Sequence, residues 1–90
     1  MASSRKRQGM DMQEAGQQWE ALHQRWVAAH QEARRVEQRN LMRFKAFAEG
    51  KGAAPSAEEL GQVEPLRRLA NDAQADRDEF TRRVFRGLSA

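Results

Sequence analysis

MQEAGQQWEALHQRWVAAHQEARRVEQRN, residues 12–40, decides the fold. Apolar or small side chains recur at Met12, Ala15, Trp19, Leu22, Trp26, Ala29, Ala33 and Val36, followed by Asn40, in alternating steps of three and four. That spacing is a heptad seam on a helix, with Trp19, Trp26 and Ala33 on one row and Leu22, Ala29 and Val36 on the other. Past Asn40 the next members, Phe44 and Phe47, arrive in a 4-3 step, which slips the seam as a four-residue stutter does. Good helix formers continue to residue 48, so the spacing predicts one helix over about 11–48, roughly 55 Å long at 1.5 Å per residue.

Downstream, Glu49-Gly-Lys-Gly-Ala-Ala-Pro-Ser56 carries the glycines and proline of a helix stop and a loop over 49–56. Pro55-Ser-Ala-Glu-Glu-Leu60 then reads as a capping box, in which Ser56 accepts from a first-turn amide and Glu59 reaches back to the cap amide. Gly61 and Pro65 interrupt the second helical segment, and Pro65 disfavours αR at Glu64. The expectation is a short helical turn over 57–62, a break or kink, and a main helix over about 65–87 that ends near Gly87. Its apolar positions are Leu66, Leu69, Ala70, Ala73, Phe80, Val84 and Leu88.

Two helices on either side of a tight loop predict an antiparallel hairpin. With equal rise on both arms, facing residues have numbers summing to about 106. Trp19 then falls near Leu88, Leu22 near Val84, Trp26 near Phe80, Ala33 near Ala73, Val36 near Ala70 and Asn40 near Leu66. Charge agrees with the hairpin, since net charge runs +3 over 1–10, −3 over 11–33, +4 over 34–45, 0 over 46–55, −4 over 56–79 and +3 over 80–90. The basic 34–45 block should face Glu58, Glu59 and Glu64, and Arg82, Arg83 and Arg86 should lie beside Asp11, Glu14 and Glu20. Glu64–Arg68, Asp78–Arg82 and Glu79–Arg83 are candidate i,i+4 pairs.

Composition sets the size of the core. Of 90 residues, 15 are Ala, with only 6 Leu, 4 Val, 4 Met, 4 Phe and 2 Trp, and no Ile, Tyr or Cys. Strands have almost nothing to be built from. A lone hairpin leaves its flanks wet, and Val27, Leu41, Met42, Ala48, Leu69 and Phe85 lie off the main seam. The expected architecture is therefore all-α: a coiled-coil-like two-helix hairpin over 11–90 that dimerises into a four-helix bundle. Residues 1–10, which include Arg5, Lys6 and Arg7, read as a flexible basic arm.

Functional chemistry is sparse. His23 and His30 are seven residues apart, about 10 Å along a helix, too far to share one metal ion. Gly50-Lys51-Gly52 lacks the remainder of a phosphate loop, and no hydroxyl has a histidine base in evident reach. No enzyme activity, cofactor or metal is expected. With no apolar run near the ~20 residues of a membrane span, no secretory signal and no Cys, the expected location is the cytoplasm.

The function expected is protein–protein contact by a homodimer, as an adaptor or small chaperone. Its core and interface would be built from Trp19, Leu22, Trp26, Ala29, Ala33, Val36, Asn40, Phe44, Phe47, Leu66, Leu69, Ala73, Phe80, Val84 and Leu88. Asn40 at a seam position can fix register or oligomer state. The alternative is a small nucleic-acid-binding regulator, suggested by the pI of 10.2. Arg5, Lys6, Arg7, Arg35, Arg39 and Arg43 would then meet phosphates.

Overall fold

The computed structural model describes residues 11–89, with side chains described through Gly87. All regular structure among them is helical: α1 (Met12–Ala48), α2 (Ala57–Gly61) and α3 (Val63–Ser89). Helices α1 and α3 pack against each other as a hairpin. The shape is a rod of 70 × 19 × 17 Å with a radius of gyration of 20.2 Å. A compact chain of this length has a radius of about 12 Å.

Local chemistry sets each boundary. Asp11, extended at φ −71° and ψ 163°, caps α1 by accepting the Glu14 N–H at 2.8 Å. At the other end Gly50 turns left-handed at φ 74°. Its N–H reaches the Phe47 carbonyl at 3.0 Å while the Lys51 N–H reaches that of Ala46 at 2.8 Å. This is the Schellman closure that only a residue free of Cβ strain adopts cheaply. The capping box at Ser56 and Glu59 is present in both directions, at 3.1 and 3.0 Å.

The proline acts differently from expectation. α3 begins at Val63, two residues earlier than the sequence suggests, with Glu64 helical and Pro65 inside the first turn. The first-turn N–H groups have no intrahelical partner in any case, so the missing donor costs little there. Only Gln62 interrupts α2 and α3, and it remains αR at φ −73° and ψ −21°. The helical path is thus interrupted by a single residue that keeps helical dihedrals.

Pairing between the arms also departs from the simple estimate. Facing partners across the hairpin have numbers summing to 97–104, as in His30 with Arg67 and Glu37 with Arg67 at the extremes. Asn40 accordingly meets Glu59 instead of Leu66, and Trp26 meets Arg77 instead of Phe80. The offset follows from the return segment. Residues 53–56 are non-helical, and Ser56 is extended. Extended chain covers about 3.3 Å per residue against 1.5 Å in a helix, so a non-helical return carries the second arm further along the first than an equal-rise count allows.

The seam is lined by small residues. Ala15, Ala33, Val36, Ala70, Ala73 and Phe80 are buried, together with Asn40. Ala33 is fully covered, at 0% exposure, and no large side chain among those described is buried to that degree. Close backbone approach through alanine, with bulk placed to either side, is how this composition makes a rod.

Candidate functional site

Four rings on one flank of α1 form a continuous stack. Trp19 lies against His23 with centroids 4.7 Å apart and planes 11° from parallel. His23 stacks on Trp26 at 5.6 Å and 27°, and Trp26 on His30 at 4.8 Å and 15°. The 4-3-4 spacing produces this, because residues three and four apart on a helix sit one above the other with side chains leaning toward the N-terminus.

Helix α3 fastens the ladder with two arginines. The Arg77 guanidinium lies 4.9 Å from the Trp26 ring centroid and donates to His23 Nδ1 at 3.0 Å. Arg67 donates to His30 Nδ1 at 3.2 Å, and to both carboxylate oxygens of Glu37, the Nε bond measuring 2.9 Å. A guanidinium has no acceptor, so each Nδ1 accepts and the proton of a neutral ring resides on Nε2. His23, Trp26, His30, Arg67 and Arg77 are half-buried.

Electrostatics follow these contacts. The Arg67 hydrogen bonds hold the Glu37 carboxyl below the ordinary range against the opposing effect of desolvation, with the charges of Arg67 and Arg34 adding to the lowering. Glu37 in turn raises Arg67. Glu32 and Glu79 are lowered for the same reason, by hydrogen bonds from Arg35 and Arg82.

Of the residues expected in the core or interface, Ala33, Val36, Asn40, Ala73 and Phe80 are buried. Leu22, Trp26, Ala29, Leu66 and Val84 are half-buried. Trp19, Phe44, Phe47 and Leu69 are exposed on the single hairpin. The Leu88 side chain lies outside the described residues, as do Arg5, Lys6, Arg7 and the expected arm. Asn40 donates from Nδ2 to the Glu59 carbonyl at 3.4 Å, and its buried Oδ1 has no partner among the described residues.

Several basic side chains of α1 are engaged within the hairpin. Arg35 pairs with Glu32, Arg43 with Glu59, and Arg39 donates to Gln62 at 2.9 Å. Glu64–Arg68 forms as expected at 3.1 Å. At the open end the expected pattern is corrected: Asp78 accepts from Arg77, while Arg82 and Arg86 both converge on Glu79, so the local carboxylate takes them in place of Asp11, Glu14 and Glu20.

The ladder goes unanticipated in the sequence, where His23 and His30 stand out only as too far apart to share a metal ion; the informative pattern is Trp-x3-His-x2-Trp-x3-His, a ring-on-ring spacing. The arginine partners cannot be assigned without the pairing between arms. Among the described residues there is no group of three or more metal-ligating side chains, and no helix is long and apolar enough to cross a membrane. No protein family, curated protein or solved structure matches the chain.

Proposed function

We propose that this chain is a non-enzymatic interaction module that works as a homodimer, two hairpins closing into a four-helix bundle, in the role of an adaptor or small chaperone. The observation that carries this reading is the distribution of bulk. The hairpin buries alanines, while Leu41, Phe44, Phe47 and Leu69 remain 46–61% exposed. Large apolar side chains left uncovered in number on a small domain mark a surface meant for another protein.

Protein contact is favoured over phosphate contact because Arg35, Arg39 and Arg43 already have partners inside the hairpin. Light scattering at micromolar concentration tests the reading, with twice the chain mass expected. A well-folded monomer there overturns it. Capture from native lysate with and without nuclease separates the two partner classes, because a protein partner survives digestion and a nucleic-acid-borne one does not.

A further inference from the structure

Beyond the seam buried against α3, helix α1 carries a second stripe. At 100° per residue the four stacked rings, Met12, Leu41 and Phe44 fall within an arc of about 60°. Met12 and Leu41 are 63% and 61% exposed, and Trp19 and Phe44 are exposed as well. The stripe runs the length of α1, bulky and bare at both ends, with its middle fastened by Arg77 and Arg67.

Charge along α1 is strongly divided. Asp11, Glu14, Glu20 and Glu32 against Arg25 give residues 11–33 a net −3. Arg34, Arg35, Arg39, Arg43 and Lys45 against Glu37 give residues 34–45 a net +4. Parallel self-pairing sets acid against acid and base against base. Antiparallel self-pairing sets each acidic half against a basic half.

We infer that this stripe is the dimer face, and that α1 of one copy lies antiparallel against α1 of a second copy about a two-fold axis near residue 28. The inference rests on the homodimer reading and specifies its geometry. Facing residues then have numbers adding to about 56, because both helices rise equally. Met12 meets Phe44 of the second copy, Trp19 faces Glu37 with Leu41 one turn further on, and Trp26 meets His30, so the exposed apolar ends of the stripe come together. Glu20 and Arg34, both exposed along one edge of the stripe, face one another across the axis twice.

The chain has no cysteine, so engineered thiols report the geometry directly. Met12→Cys and Phe44→Cys chains, each altered at an exposed position and separately prepared, are mixed and oxidised after each variant's dimer mass has been checked. The expected product is the mixed disulfide between positions 12 and 44, with little of either like-with-like species. Like-with-like disulfides as the main product, or no disulfide from chains of dimeric mass, overturn the antiparallel geometry while leaving the dimer standing. A monomeric mass for the unaltered chain overturns both. In a second arm, Glu20→Arg should weaken dimerisation at low salt at least several-fold, and adding Arg34→Glu should restore it. Absence of that restoration counts against the inferred pairing.

Discussion

Arg77 crosses from α3 to lie over Trp26 at 4.9 Å while donating to His23 at 3.0 Å, so one guanidinium binds two neighbouring rungs of a ring stack on the opposite helix. A planar cation is suited to this because it can stack through its face and donate in its plane. The arginine joins the two arms of the hairpin at a place where the seam itself contributes little bulk.

Arg77→Met keeps the aliphatic stem and removes both interactions together with the pairing to Asp78. The expected loss is about 1 kcal/mol, the usual worth of one cation–π contact with a neighbouring hydrogen bond. Urea unfolding checks it, and tryptophan emission should shift to the red as Trp26 gains solvent. An unchanged midpoint and spectrum would show that the guanidinium is a bystander.

Ala33 is fully covered where α1 packs on α3, with 0% exposure. Ala33→Leu forces α1 and α3 apart and should cost about 1–3 kcal/mol, the range for overpacking a closed site. Ala28→Leu, on the exposed side of the same helix, should stay within ~0.5 kcal/mol. Thermal melts of the two variants side by side make the comparison; equal effects would mean that the small-residue seam is not what sets the helix separation.

Asn40 is 4% exposed with one long hydrogen bond and an unpartnered Oδ1. Removing a buried unsatisfied group is favourable by about 1 kcal/mol where the replacement fits. Asn40→Leu should therefore raise the midpoint of urea unfolding while relaxing the alignment of α1 on α3, since a polar seam residue selects one register. A lower midpoint would mean that the link to the Glu59 carbonyl outweighs the orphaned oxygen.

The depressed pKa of Glu37 fixes the sign of an acid effect. Its folded value lies below the unfolded value of about 4.3, so its contribution is complete above that pH and is lost as pH falls through the folded value. The stability gap between the native chain and Glu37→Gln should be widest at pH 6–7 and narrow progressively as pH falls below the unfolded value of about 4.3. Glu32 and Glu79, lowered in the same sense, leave the variant with an acid slope of its own. A gap independent of pH would rule out the Arg67 pairing as the cause.

Much of the hairpin is legible in the sequence because its signals are local. The alternating three-four steps from Met12 to Asn40 specify one long helix, and Ser56 with Glu59 specify the start of the next. What escapes depends on distance across the chain. The non-helical return over 53–56 shifts the pairing, a length effect that residue types do not encode. With the pairing misplaced, Trp26 falls opposite Phe80, and the arginines that reach the histidines cannot be found. Pro65 shows the reverse case, where a strong local rule yields to a position in the first turn that suits it.

The alanine seam has a mechanical consequence. Ala33, Ala70 and Ala73 offer no interlocking knobs, so the middle of the hairpin resists separation better than it resists sliding. Shear between the arms is opposed mainly at the rims, by Arg25 on Asp76, Arg67 on Glu37 and Arg43 on Glu59. These fasteners are ionic and partly in water, and concentrated salt weakens them while leaving helix hydrogen bonds intact. High ionic strength should therefore loosen the alignment of the two arms before it melts either one.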